Sequence, residues 1–189
     1  MKHILVGTNR PKSRSLELAK IVQERYKHLG EDVEIINLED LPLSIFTGAE
    51  YGAEKPEVLK KITDKIDDSD GIIVIAPEYN GSAPGVLKLL IDHLSFPKAF
   101  ERRPVCFLGL GGMFGGLRPV EHLQQVFGYR NAYVYPFRIF MINVWNDLVN
   151  GEIQTPDIIE RITKQAEGFQ KFCEALKSQK IHANNYVEL

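Results

Sequence analysis

Hydrogen-bond donors crowd the segment GTNRPKSRS, residues 7–15, which follows a short apolar run and leads into a helical pattern. It contains three hydroxyls, one amide and three cations. A phosphate group binds where N–H and O–H donors meet positive potential, and a helix N-terminus supplies both. The segment therefore predicts an oxyanion site formed by Thr8, Arg10, Ser13 and Ser15. The alternative is that Ser13 or Ser15 only caps the helix while the cations stay solvated, although a cap needs just one such residue.

The ligand predicted from this loop is a mononucleotide, because the glycine patterns GxGxxG and GxxxxGK[ST] of dinucleotide and P-loop sites are both missing. Its ring needs a flat surface, which the segment PEYNGSAP, residues 77–84, can supply. Two prolines stiffen this segment, Gly81 allows close approach of the backbone, and Tyr79 offers an aromatic wall. Backbone N–H groups here are the expected donors to the ring. The predicted ligand contacts are Pro77, Glu78, Tyr79, Asn80, Gly81 and Ser82.

Five of the fifteen glycines fall within the eight residues 109–116. Such a concentration indicates backbone lying against the edge of a ligand, because a Cβ atom at these positions would push the ligand away. The alternative is a mobile turn that ends in a helix. The predicted contacts in this segment are Gly112, Gly115 and Gly116.

Alternating apolar runs and helical patterns position these three segments. Strands are predicted at residues 3–6, 33–36, 71–76, 104–110 and 132–140, and helices at 15–29, 56–67, 85–94, 116–127 and 158–176. This alternation predicts an α/β fold with a parallel five-stranded sheet and helices on both faces. Ligands of such sheets bind beyond the carboxyl ends of the strands, where the three segments lie. Residues 1–178 are predicted to form one domain and residues 179–189 a flexible tail.

Composition excludes several other classes of protein. A net charge of −2 without a basic run argues against a nucleic-acid-binding or membrane-surface protein. No apolar run approaches the length of about 18 residues that a membrane helix needs. The two cysteines, Cys106 and Cys173, are predicted to be buried thiols of a cytoplasmic protein, and the five histidines share no spacing suited to a metal site.

The three segments together resemble one family. PEYNGSAPGVLKLLIDHLS is similar to the signature of the NADPH-dependent FMN reductases, which include quinone, chromate and azo-dye reductases. GTNRPKSRS resembles the phosphate loop of that family, G-S-x-R-x-x-S, with Thr8 in the serine position and Ser15 where asparagine is frequent. Residues 112–118, GMFGGLR, resemble the family's G-x-x-G-G-x-R. Leu89 departs from the family, whose members frequently have asparagine there, but it lies on a helix away from the predicted contacts.

The resemblance implies a flavodoxin-like three-layer sandwich with strand order 2-1-3-4-5 and FMN bound at the three segments. It implies an enzyme in which a hydride passes from NADPH or NADH to the flavin N5 and electrons then pass to a quinone, flavin, azo compound or similar small molecule. No catalytic side chain and no metal are required, since the cofactor performs the chemistry. Glu78 is left open as a general acid or base, a surface charge or an intersubunit partner, and Arg118 as a structural or intersubunit residue. Alternatives to the enzyme are a flavodoxin-like electron carrier and a non-catalytic flavin-binding protein.

The predicted helix at residues 85–94 is apolar on more than one face, which favours a subunit interface. The resemblance implies a homodimer or a dimer of dimers. In such an assembly, Phe46 and Trp145 are expected to wall the flavin site from the partner chain.

Overall fold

The computed structural model describes residues 1–48, 51 and 55–186. Across these residues the strands are β1 (Lys2–Val6), β2 (Val33–Asn37), β3 (Ile72–Pro77), β4 (Pro104–Leu110), β5 (Tyr133–Val134), β6 (Ile139–Met141), β7 (Leu148–Val149) and β8 (Glu152–Ile153). The α-helices are α1 (Arg14–His28), α2 (Glu57–Asp67), α3 (Gly85–His93), α4 (Leu117–Tyr129), α5 (Val144–Asp147) and α6 (Pro156–Ser178).

The main sheet is parallel and has the order β2-β1-β3-β4-β5, as the resemblance implied. Its central strands β1, β3 and β4 are buried along their whole length, because helices cover both faces. One apolar cluster packs the sheet against α1 and α6 through side chains such as Leu18 and Phe169. A second cluster packs the other face against α2, α3 and α4 through Leu59, Leu87 and Val120. The predicted three-layer α/β fold is confirmed.

The predicted fifth strand, residues 132–140, is divided into β5 and β6. Both parts pair in parallel with β4, β5 near the start of β4 and β6 near its end. Pro136 lies in the interruption, where it has no N–H to donate to a strand partner. The prediction of one continuous strand is therefore wrong at residues 135–138, while the position of this edge in the sheet is as expected.

Two further features follow β6. The short helix α5 is succeeded by the antiparallel hairpin β7–β8, which the sequence analysis did not predict. Its turn consists of Asn150 and Gly151, with φ of 53° and 76°. Positive φ at both central residues is typical of the tightest hairpins, so the Asn-Gly pair was the available signal.

The segment after β2 contains short 3₁₀ helices at Leu38–Asp40 and Leu43–Ile45. Leu38 and Leu41 of this connecting loop, residues 38–55, are buried in the second apolar cluster. Positions 49–50 and 52–54 of that loop lie outside the described residues.

Helix α3 buries its apolar residues within its own chain. Val86, Leu87, Leu90 and Ile91 all lie in the second apolar cluster, and Leu89 is half-buried. The excess of apolar residues on this helix, from which a subunit interface was predicted, is therefore largely explained by packing within one chain.

The segment after α6 contacts the end of the sheet opposite the predicted site. His182 is fully buried, and its Nε2 donates to the carbonyl oxygen of Asp70 at 2.9 Å. Asn184 Nδ2 donates to Asp68 O at 3.1 Å, and the buried Arg103 donates from Nη1 to Asn184 Oδ1 at 2.8 Å. These contacts tie residues 182–184 of the predicted flexible tail to the domain. Positions 187–189 lie outside the described residues, and the domain boundary at residue 178 stays a prediction.

Candidate functional site

The loops after β1, β3 and β4 meet in a cleft of about 220 Å³ at the carboxyl ends of these strands. The predicted site residues that line the cleft are Arg10, Ser13, Ser15, Pro77, Glu78, Tyr79 and Gly112. The predicted residues that do not line it are Thr8, Asn80, Gly81, Ser82, Gly115 and Gly116. The parallel topology therefore brings all three sequence segments together, while six of the thirteen predicted contacts do not line the cleft.

The start of α1 presents donors to the cleft. Ser13 is the N-cap residue, and its Oγ accepts a hydrogen bond from Leu16 N at 3.2 Å. The backbone N–H groups of Arg14 and Ser15 have no acceptor among the described residues, as expected for the first turn of a helix. Such free N–H groups, with the helix dipole behind them, favour an anion.

Ser15 is the most informative residue of this loop. Its side chain lines the cleft, it is only 2% exposed, and its hydroxyl makes no hydrogen bond within the described part of the chain. The Ser15 oxygen is not sealed from the cleft, so its donor and acceptor positions are available to a group bound there. The neighbouring cations Arg10, Lys12 and Arg14 also line the cleft, which indicates that this group is an anion.

Thr8 has a different environment from Ser15. It is fully buried, and its Oγ1 lies 2.9 Å from the hydroxyl of Tyr79. The same oxygen accepts a hydrogen bond from Arg10 N at 3.2 Å. The Thr8 hydroxyl therefore joins the first loop to the second.

The loop after β3 is a tight turn. Tyr79 N donates to Ser82 O at 2.9 Å, and Ser82 N donates to Tyr79 O at 3.1 Å. Asn80 and Gly81 form the turn with φ of 51° and 76°. Glu78 N also donates to Leu110 O, at 3.0 Å, so the N–H groups of this loop without an acceptor in the described chain are those of Asn80, Gly81 and Ala83.

Glu78 is paired with Arg118. Arg118 Nη1 donates to Glu78 Oε1 at 3.1 Å, and the guanidinium carbon lies 4.0 Å from the centroid of the Phe114 ring. Glu78 lines the cleft and its side chain is 13% exposed, while that of Arg118 is 46% exposed. Both residues, whose roles the sequence left open, therefore form an ion pair within one chain.

The glycines after β4 allow segments of the chain itself to approach one another. A Cβ on Gly116, whose φ is 81°, would lie 2.4 Å from Leu110 N, and a Cβ on Gly109 would lie 2.6 Å from Gly116 O. Gly115 has a φ of 57°, and its Cβ would lie 3.0 Å from Ile142 N. Backbone packing within the chain therefore requires glycine at these positions.

Trp145 forms a wall of the cleft from within the same chain. It lines the cleft together with Val144, and a Cβ on Gly112 would lie 3.1 Å from its ring. The segment is anchored because Asn143 N donates to Gly112 O at 2.9 Å and Val144 N donates to Gly111 O at 3.0 Å. Trp145 was expected to reach the site from a partner chain. Phe46, for which the same was expected, packs within its own chain against His93, with the ring centroids 5.1 Å apart.

The two cysteines lie in the core, away from the cleft. Burial raises the pKa of the Cys106 thiol well above its usual value and that of Cys173 to about 12, which disfavours a reactive thiolate at either position. The described residues contain no cluster of His, Cys, Asp and Glu suited to a metal ion. Within the same residues, no helix has the length and apolar character needed to cross a bilayer.

The fold and the cleft define a flavodoxin-like α/β protein with a cleft lined by cations at its first strand–helix junction. Residues 3–147 match the NADPH-dependent FMN reductase family, and the chain belongs to that family. The family predicted from the three sequence motifs is thereby confirmed, and its description names an enzyme that uses FMN and NADPH, as the resemblance implied.

Individual relatives support this assignment. The chain is 32% identical over 127 residues to the NADH:(hydroxy)cinnamate reductase subunit CrdA of Vibrio ruber, a match that covers 65% of this chain and 59% of that subunit. It is 31% identical over 128 residues to a quinone reductase of Escherichia coli, covering 65% of this chain and 68% of that enzyme. The chain therefore spans less than two thirds of the Vibrio subunit.

Solved structures show the same fold. FerB, a flavoenzyme NAD(P)H:(acceptor) oxidoreductase from Paracoccus denitrificans, superimposes with a TM-score of 0.72 at 21% identity, covering 92% of this chain and 96% of that chain. The flavodoxin of Megasphaera elsdenii superimposes with a TM-score of 0.57 at 16% identity, covering 88% and 99%. The predicted flavodoxin-like topology is confirmed.

Proposed function

We propose that the cleft binds FMN and that the chain acts as an NAD(P)H-dependent reductase of small-molecule acceptors. The observation that carries this proposal is the hydroxyl of Ser15, which has no partner among the described residues and lies in the wall of a cleft where the three family motifs meet. An anion at the start of α1 would be bonded by Ser15 and by free backbone N–H groups.

The phosphate end is held by charge as well as by hydrogen bonds. Arg10, Lys12 and Arg14 line the cleft beside Ser15. A hydrogen bond to a charged group contributes about 1.5–3 kcal/mol, so a few of them are enough to anchor a nucleotide. Arg10 also carries the forked guanidinium that suits a phosphate group.

The ring end is defined by Tyr79 and Trp145, which line the cleft from two different loops. The second loop lines the cleft through Pro77, Glu78 and Tyr79. A volume of about 220 Å³ is below the range of about 300–1,000 Å³ for pockets that enclose a small molecule. A flavin in this cleft therefore keeps part of its surface accessible to a second molecule.

Bound FMN would supply the redox chemistry, the transfer of two electrons from NADPH or NADH to an acceptor. The residues of the chain bind the cofactor, orient it and leave one side open. Four large apolar side chains in or near the glycine-rich segment 109–116 are exposed, namely Met113, Phe114, Ile142 and Trp145. This apolar rim suits a flat acceptor such as a quinone, which the relative from Escherichia coli is named for reducing.

The experiment that tests this function uses absorption spectra of the purified chain. FMN is added to the apoprotein, unbound flavin is removed, and NADPH or NADH is then added without oxygen. Loss of the visible flavin absorption, followed by its return when a quinone is added, is expected. A protein that retains FMN but is not reduced by either nicotinamide would be an electron carrier, and one that retains no FMN would refute the cofactor assignment.

We also propose that the chain forms a homodimer, or a dimer of dimers, in the cytoplasm. A groove of about 480 Å³ between α3 and α4 is bordered by Phe96 and Tyr129, which are 69% and 79% exposed. Exposed apolar side chains around a groove are typical of interaction surfaces. The free cysteines Cys106 and Cys173 support a reducing compartment.

The oligomeric state can be measured by sedimentation. Phe96→Glu is expected to shift the protein towards monomer because it places a charge on the groove. Val149→Glu, a change at an exposed apolar residue of the β7–β8 hairpin, is the matched control. A wild-type protein that sediments as a monomer would refute the dimer.

A further inference from the structure

The Thr8 hydroxyl occupies the phosphate-loop motif but is directed at a tyrosine. Thr8 is fully buried and does not line the cleft, whereas Tyr79 does. Oγ1 of Thr8 lies 2.9 Å from the Tyr79 hydroxyl and accepts a hydrogen bond from Arg10 N at 3.2 Å. Of the hydroxyls expected to bind phosphate, this one is the most fully engaged by the protein itself.

The hydroxyl of Thr8 has few hydrogen-bonding positions left for a ligand. A hydroxyl has one donor and two acceptor positions, and Arg10 N uses one acceptor. The bond with Tyr79 uses a second position, whichever oxygen donates. Since Thr8 has no exposed surface, the remaining position does not reach the cleft.

The contact joins parts of the chain that are distant in sequence. Thr8 and Tyr79 are 71 residues apart, one after β1 and the other after β3. Tyr79 is also held at its backbone by the two hydrogen bonds to Ser82. Its ring is therefore attached at both ends, by the turn at the backbone and by Thr8 at the hydroxyl.

We propose that Thr8 is a positioning residue for the aromatic wall of the flavin site and not a phosphate ligand. This inference rests on the proposed binding of FMN. Thr8 holds the Tyr79 ring at the angle that the ring-binding end requires, and Ser15 with the start of α1 serves the phosphate. The threonine methyl group is buried as well, which restricts the hydroxyl to one orientation.

The test compares two flavins, FMN and riboflavin, of which the second has no phosphate. Dissociation constants are measured by fluorescence titration of the apoprotein with each flavin. The variants are Thr8→Val, which removes the hydroxyl but keeps the shape, Thr8→Ser, which keeps the hydroxyl, Tyr79→Phe and the Thr8→Val/Tyr79→Phe double variant. Thermal unfolding of each apoprotein reports folding separately.

Thr8→Val is expected to weaken the binding of FMN and of riboflavin by the same factor, about five-fold for the loss of one hydrogen bond. Tyr79→Phe should give a similar loss, the double variant should be no weaker than either single one, and Thr8→Ser should restore binding. If Thr8→Val does not fold, Tyr79→Phe removes the same hydrogen bond by a change at Tyr79, which is only half-buried.

Three results would overturn the inference. If Thr8→Val weakened the binding of FMN but not of riboflavin, Thr8 would be a phosphate ligand. If the losses of affinity in Thr8→Val and Tyr79→Phe added up in the double variant, the two residues would act independently. If Thr8→Val bound both flavins as tightly as the wild type, the Thr8 hydroxyl would have no role in flavin binding. Wild-type apoprotein that binds neither flavin would refute the proposed function itself, and the inference with it. Wild-type binding with an unaffected Thr8→Val variant refutes only the inference.

Discussion

Arg118 donates a hydrogen bond to Glu78 across 3.1 Å, at the edge of a cleft whose other end is lined by three cations. The carboxylate is thus neutralised by a partner from α4 before any anionic ligand approaches. An unpaired carboxylate would repel a phosphate-bearing ligand, and pairing with Arg118 reduces that repulsion.

Replacing Arg118 alone should therefore weaken FMN binding more than replacing both Arg118 and Glu78. Arg118→Gln is expected to weaken FMN binding about two- to five-fold, in keeping with the modest energies of exposed ion pairs. The Glu78→Gln/Arg118→Gln double variant should recover most of this loss. The measurement is flavin titration at low and high NaCl, since added salt should reduce the effect. A double variant as weak as Arg118→Gln would show that the charge of Glu78 is not the cause.

Ser15→Ala should separate phosphate binding from stability. The loss of one charge-assisted hydrogen bond is expected to weaken FMN binding by roughly ten-fold or more, while riboflavin binding stays unchanged. The apoprotein should be as stable as the wild type, because the hydroxyl has no partner in the described protein and alanine favours the helix. Fluorescence titration and thermal unfolding measure the two quantities.

Ser13→Ala is the contrasting variant for this pair of serines. Ser13 caps α1, so its replacement should lower the free energy of unfolding of the apoprotein by about 1 kcal/mol. If Ser15→Ala destabilised the apoprotein to the same extent and left FMN affinity intact, the assignment of Ser15 would be wrong.

Gly116→Ala should destabilise the fold strongly. A Cβ atom would lie 2.4 Å from Leu110 N and would force a φ of 81° on an L-residue. The expected loss in the free energy of unfolding is at least about 2 kcal/mol. Gly128→Ala, in α4, is the matched control, because a Cβ there would meet no atom within 4 Å beyond its chain neighbours and the backbone of its own helix. This variant should be neutral or stabilising by up to about 1 kcal/mol. Urea unfolding of both variants measures the difference, and equal stabilities would contradict the packing explanation.

His182 should make stability depend on pH. Burial lowers the pKa of His182, and the charges of Arg103 and Lys177 lower it further, against the hydrogen bond to Asp70 O, which raises it. Its Nδ1 accepts from Asn184 N at 3.0 Å, and protonation of this nitrogen would break that bond. The unfolded chain therefore binds a proton more readily, and the free energy of unfolding should fall as pH decreases below about 6.5.

Urea unfolding between about pH 5.5 and pH 7.5 measures this dependence. His182→Gln should reduce the slope of stability against pH, because glutamine can still donate to Asp70 O but does not titrate. Some slope should remain, since burial also lowers the pKa of His3. An unchanged slope in His182→Gln would show that His182 does not titrate in this range.

Much of the fold was predictable because its signals are local. The uninterrupted apolar run that became β3 identifies a strand covered on both faces, and alternation with helices determines a parallel sheet. The split between β5 and β6 was missed because the apolar run around Pro136 looks continuous when strand pairing is unknown. The β7–β8 hairpin was missed although the Asn-Gly pair of its turn was present.

For the site, the sequence by itself determined which three loops would meet, since parallel strands place their carboxyl ends at one edge. It also determined the family, through motifs within residues 3–147. Only the tertiary structure decided that Thr8 faces Tyr79, that Ser15 faces the cleft, that Gly116 serves chain packing and that Trp145 walls the cleft from its own chain. The direction of a side chain depends on contacts with residues far along the chain, and local spacing carries no information about those contacts.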